Sequence, residues 1–123
     1  MYTVKIRNHI MIAHSLKREA FGPAQNLHGA TYIIDVTFSK ETLDENNIVI
    51  DIGQAHQVLE QIVNDLNYQN LDEHPELKNE LTTTEFLAAY IHGKIKDKVK
   101  DRFDGKIGVT LGESHVAWAS YYD

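Results

Sequence analysis

The chain opens on an alternating pattern. In YTVKIRN the apolar Tyr2, Val4 and Ile6 are interleaved with Thr3, Lys5 and Arg7, the two-residue period of a strand with one buried face. IMIAHS continues it, so that Ile10, Ile12 and His14 share a face if no bulge intervenes. After a polar segment with a Gly22-Pro23 turn signal, LHGATYIIDVTFS sets His28, Ala30, Tyr32, Ile34, Val36 and Phe38 on one side of a second strand. KETLDENN reads as a polar loop, and IVIDI as a short buried strand or an extended lead-in to a helix.

The period then changes. Ala55, Val58, Leu59, Ile62, Val63 and Leu66 recur at three- and four-residue steps, which predicts an amphipathic helix over 53–66. Residues 67–81, with turn formers and Pro75, read as an irregular link. Thr82 and Glu85 stand at capping-box spacing ahead of Leu87, Ile91, Ile95 and Val99. A second helix is expected there, with lysines near its end where they suit the dipole and Asp104-Gly105 as its stop. KIGVTLGES alternates Ile107, Val109 and Leu111 with small or polar residues, and HVAWASYY closes the chain as a last strand. The order β-β-α-α-β-β, with hairpins at both ends, predicts one α+β domain over 1–123: a four-stranded antiparallel sheet with two helices on one face. Such a sheet has two open edges, so oligomerisation through edge strands is expected.

Composition narrows the function. A chain of 123 residues with 42% hydrophobic and 24% charged positions is an ordinary globular domain. The net charge of −6 provides no basic footprint, so neither nucleic acid nor an anionic membrane is expected as a partner. No apolar run approaches the roughly 18 residues of a membrane span. The N-terminal MYTVKIRNH lacks the apolar core of a signal peptide, and a cytoplasmic protein is expected. The absence of cysteine excludes disulfides, thiolate ligands and a thiol nucleophile together.

What chemistry remains centres on histidine. His14 and His28 fall at corresponding ends of adjacent strands, so their rings can meet although they are distant in sequence. They could supply two of the three protein ligands that a catalytic zinc takes, or be two hydrogen-bonded histidines in a polar pocket.

The blocks MIAHSL, NLHGATY, NIVIDI, TTTEFLA and VTLGES, taken in order, resemble those of the 6-pyruvoyltetrahydropterin synthase and 6-carboxytetrahydropterin synthase family. The resemblance implies the tunnelling fold, assembled as trimeric barrels and then homohexamers, a zinc cofactor and a reduced pterin as small-molecule partner. It carries His14 and His28 over as metal ligands. The family's third metal position falls on Ala30, its catalytic cysteine on Ala24, and its Asp-His pair on Asn67 and Tyr68. Glu113 matches the glutamate that grips the pterin ring, a bidentate carboxylate contact, and Thr83 matches a threonine that touches the ring. Thr83 could equally belong to a helix-capping cluster. His115, or failing that His9, is the candidate replacement for the third ligand. Tyr68, or His74 with Asp72 nearby, is the candidate acid or base. His56 and His92 fall on helices as solvent or interface positions. The resemblance thus implies a metal-dependent lyase acting on dihydroneopterin triphosphate or a related reduced pterin. Two other readings stand beside it: a non-catalytic pterin- or purine-binding protein, and an enzyme of altered chemistry on such a ring.

Overall fold

A computed structural model describes all residues, 1–123. The strands are β1 (Tyr2–His14), β2 (His28–Lys40), β3 (Lys106–Ser114) and β4 (Ala117–Tyr122), and the helices are α1 (Ile52–Leu66) and α2 (Thr84–Val99). The strands form one antiparallel sheet in the order β1-β2-β3-β4, as the alternation and hairpin placement predict. Register is set by which face is apolar, because a one-residue slip would turn every core side chain to water. The β1–β2 ladder therefore runs without a slip from Tyr2 opposite Lys40 to His14 opposite His28.

Ile6, Ile10 and Ile12 of β1, Tyr32, Ile34, Val36 and Phe38 of β2, and Ile107, Val109 and Leu111 of β3 form the buried face. The apolar stripes of both helices join them in one core. The intervening residues, among them Arg7, Thr31, Ile33 and Asp35, point to the other face, which no helix covers.

Several local outcomes differ from the pattern reading. IVIDI forms no strand: Val49 and Ile50 are buried as a lead-in, and the Asp51 carboxylate accepts the Gln54 amide at 2.9 Å, capping α1. At α2 the cap is Thr83 rather than Thr82; Thr83 Oγ1 accepts from the Phe86 amide at 3.1 Å, so the expected capping box from Thr82 to Glu85 does not form. That leaves Thr82 free for another partner. α2 ends at Val99, ahead of Asp104-Gly105. His92 is buried, not on the solvent side, because the buried face of α2 is broad and includes Ala88 and His92 beside Leu87, Ile91 and Ile95. Its Nε2 lies 3.1 Å from an Asp123 carboxylate oxygen, and its ring meets Tyr121 edge-on at 4.8 Å.

The link after α1 is more ordered than its composition implies. Met11 donates its amide to Asn67 Oδ1 (2.9 Å), Tyr68 donates to the Met11 carbonyl (2.7 Å), and Ala13 donates to the Gln69 carbonyl (3.0 Å). Residues 67–70 thereby cover the edge of β1 near His14 in a parallel sense. No helix is long and apolar enough to cross a membrane.

Candidate functional site

Two polar constellations lie toward the same end of the sheet. The first comes from the β1–β2 register. His14 and His28 are cross-strand partners, and their rings meet edge-on, with centroids 4.6 Å apart and planes at 63°. His14 is buried, and its Nδ1 lies 2.9 Å from Oγ1 of the equally buried Thr82, the residue released from capping. Burial holds His14 below the ordinary imidazole range and the neighbouring His28 adds to this, while Asp72 and Thr82 pull the other way without overcoming them. His28 Nδ1 donates to the Asn26 carbonyl at 2.8 Å. That bond fixes the proton on Nδ1 and leaves Nε2 as a lone-pair donor, the arrangement that outer hydrogen bonds impose on metal-binding imidazoles. With Nδ1 of His14 turned to Thr82, its Nε2 is likewise uncommitted.

The surroundings of this pair are held from the link. Asp72 accepts from Ser15 twice, from Oγ at 2.5 Å and from the amide at 3.2 Å, and so fastens the link to the end of β1. His74 is buried elsewhere. Its Nε2 meets Asp65 at 3.0 Å and its Nδ1 accepts from the Glu76 amide at 3.1 Å, so both ring nitrogens are engaged in closing the link onto α1. Tyr68 is exposed and adopts a left-handed backbone (φ 62°), while Asn67 spends its side-chain oxygen on Met11.

The second constellation lies at the β3–β4 hairpin, where the charge of Glu113 acts on the Tyr32 hydroxyl of the covered face. The β3–β4 register pairs Gly112 with Trp118 and then Ser114 with Ala117, leaving Glu113 without a partner. It is the extra residue of a β-bulge, a device that re-aims a side chain. Glu113 is exposed, and with Arg7, Thr31, Asp35, His115 and Trp118 it lines a cavity of about 400 Å³. Arg7 grips Asp35 in a bidentate pair at 2.7 and 2.9 Å, so its positive charge is already matched. His115 is exposed at the hairpin tip and lines this cavity; no group of three or more His, Asp or Glu side chains is close enough to hold a metal ion. The imidazole pair therefore offers two ligands within one protomer. Thr83 stays at the N-cap of α2 with its hydroxyl oxygen accepting a backbone amide. A larger cleft, about 560 Å³, lies by Tyr2, Ile48 and Ile52. It sits at the far end of β1, about 40 Å of strand from His14, and its lining is mostly apolar.

The family described as 6-pyruvoyl tetrahydropterin synthase matches residues 3–123. The chain belongs to that family. Among characterised relatives of this 6-pyruvoyl tetrahydropterin synthase family member, it is 28% identical over 86 residues to the 6-pyruvoyl tetrahydrobiopterin synthase of Dictyostelium discoideum, covering 68% of this chain and 64% of that protein. It is 29% identical over 94 residues to the 6-carboxy-5,6,7,8-tetrahydropterin synthase of Bacillus subtilis (strain 168), covering 72% and 61%. The chain thus spans under two thirds of the length of these curated relatives. The 6-pyruvoyl tetrahydropterin synthase structures from Caenorhabditis elegans and Plasmodium falciparum superpose with TM-scores of 0.86 and 0.79. They cover 99% of this chain, and 95% and 97% of theirs. At 21% and 17% identity they establish the fold.

Three members of the site region escaped sequence reasoning. Thr82 looked like a cap because Glu85 follows at the right spacing, and only the tertiary placement of His14 claims it. The Ser15–Asp72 tie joins residues far apart in the chain. Trp118 had no signal beyond lying two positions before a polar serine on an edge strand.

Proposed function

We propose that the protein acts on dihydroneopterin triphosphate or a related reduced pterin, as a lyase of the tetrahydropterin synthase type with altered catalytic residues. The observation that carries this reading is the convergence of His14 and His28, each with Nδ1 engaged and Nε2 open. Two imidazoles so oriented fit zinc, which takes nitrogen ligands of this kind. The fit is partial, since Ala30 contributes no third ligand. When bound, zinc polarises oxygens of its ligand. The chain's own groups do the rest. Thr82 and Asn26 orient the imidazoles, Glu113 accepts the amino and amide hydrogens of the pterin ring, and Tyr68 is the exposed hydroxyl left to move a proton. His74 has both nitrogens committed and serves to hold the link. His115 lies exposed at the tip of the β3–β4 hairpin and in no group able to hold a metal, so His14 and His28 are the ligands on which the reading rests.

A second reading, a pterin-binding protein without turnover, is favoured by Ala24 and Ala30 standing where the family has reactive groups. Either way the chain is read as a protomer of a barrel-forming homohexamer, supported by an uncovered β4 edge with exposed Val116 and Tyr121.

The test pairs metal analysis with turnover. Zinc bound by the wild type and lost in His28→Ala, with release of triphosphate from dihydroneopterin triphosphate, is the expected result. Pterin binding without turnover selects the second reading, and absence of both binding and turnover overturns the first and second alike.

A further inference from the structure

Every residue of β4 except Ala119 is exposed, and the buried core contains none of them. An edge strand so placed is held by its ladder to β3 and by whatever grips its ends. Asp123, which follows β4, is such a grip. Its Oδ1 accepts from Lys96 Nζ at 2.7 Å and lies 3.1 Å from Nε2 of the buried His92, while its Oδ2 accepts from the Ile107 amide at 3.0 Å. Its own amide donates to the Ile107 carbonyl at 3.0 Å. One residue thus ties the end of β4 to α2 through two side chains and to the start of β3 through the backbone. The Asp123 side chain is 18% exposed, against 75% for Asp97 in the surface pair with Lys100, so solvent screens it far less. Partial burial pushes its carboxyl up, yet Lys96, the Ile107 amide and His92 together hold it below the usual carboxylate range. At the opposite end of β4, Gly112 pairs with Trp118 and Ser114 with Ala117, and the bulge at Glu113 exists only while those pairs are made.

We propose that Asp123 is a latch and β4 a strap: while the carboxylate holds α2 and β3 the strand stays paired, and when it lets go β4 leaves β3 as a unit. The rest of the domain keeps its fold in the open form, because the core is built from β1, β2, β3 and the helices without β4. Release also dissolves the bulge, so the latch governs the placement of Glu113 from the far end of the strand. Within β4 the remaining ties are local. Ser120 meets Thr110 at 2.7 Å on the exposed face, and Tyr121 meets His92 edge-on at 4.8 Å. Asp123 alone brings a charge-assisted bond to α2 and a backbone bond to β3 together, and bonds to charged groups are the stronger kind. The device does not depend on which ligand Glu113 takes.

Amide hydrogen exchange of the full chain tests this in the wild type, in Asp123→Asn, which keeps the size and loses the charge, and in Lys96→Met, which keeps the stem and loses the ammonium. The protected amides of β4 should exchange about tenfold to a hundredfold faster in Asp123→Asn, with a smaller acceleration in Lys96→Met. Those of β1 and β2 should keep their wild-type rates. The acceleration should reach the far end of β4, where Trp118, the only tryptophan, provides a single indole N–H resonance as a second reporter. That resonance should shift in Asp123→Asn. Acceleration confined to residues 121–123 is fraying of the chain end and overturns the strap. Equal acceleration of β2 and β4 is loss of global stability and overturns it as well. Unchanged β4 exchange in Asp123→Asn overturns the latch.

Discussion

The two faces of the sheet use the same strands for opposite purposes. On the helix-covered face the polar groups near the end of β1 are held by partners, His14 by Thr82, Asp72 by Ser15, His74 by Asp65 and the Glu76 amide, with the Nε2 atoms of His14 and His28 left open. On the open face Arg7 grips Asp35 and Thr110 meets Ser120, while His115 and Trp118 at its hairpin end face solvent. The difference follows from desolvation. A buried polar group without a partner is destabilising, so the covered side comes pre-oriented, whereas exposed groups stay available to a ligand.

The comparison breaks most readily at adjacent positions of β2. Ile34→Ala, on the buried face, should cost about 2–5 kcal/mol in chemical denaturation, and Ile33→Ala, 42% exposed on the open face, should stay within about 0.5 kcal/mol. Equal losses would mean that the open face is itself covered in solution. Next in size, Thr82→Val keeps the volume but strands His14 Nδ1, and a loss of about 1–3 kcal/mol is expected. Its neighbour Thr83→Ala removes only the α2 cap, worth about 1 kcal/mol. A Thr82 effect no larger than that of Thr83 would contradict the assignment of Thr82 to the histidine.

The smallest effect concerns pH. The hydrogen bonds from Arg7 hold the Asp35 carboxyl below the usual carboxylate range, against a counteracting desolvation. A carboxyl depressed in the folded state stabilises above its unfolded pKa, about 3.9, and this contribution is lost as pH falls through the lower folded value. Asp35→Asn should therefore flatten the decline in stability below about pH 4 by a modest amount, the guanidinium being solvent-exposed. An unchanged acid limb would show that the pair contributes nothing measurable. Wild-type denaturation curves between pH 3 and 6 provide the reference.

Much of this molecule was legible in its sequence for one physical reason: burial of one face imposes periodicity. The alternation in β1, β2 and β3 and the three-four spacing of α1 follow from that, and they carried the topology and the opposition of His14 and His28. The reading weakened where neighbours in space replace neighbours in sequence. Thr82 and Thr83 are chemically alike and both precede α2, and which one caps depends on where His14 arrives. His92 sits beside an apolar stripe, and its burial depends on Asp123 and Tyr121 closing over it. Residues 67–70 carry no strand signal, since their pairing with β1 uses backbone groups and an asparagine oxygen. The bulge at Glu113 breaks an alternation that the residues themselves continue, because one unmatched position in a hairpin is decided by how the turn closes.

What the sequence alone determined is the order of elements, the apolar faces and the absence of a thiol, all properties of composition and spacing. What only the tertiary structure decided is which polar atoms are spent and which stay free. A hydrogen bond is settled by the position of both partners to within a fraction of an ångström, and partners such as His14 and Thr82 acquire those positions only when the sheet and helices have packed.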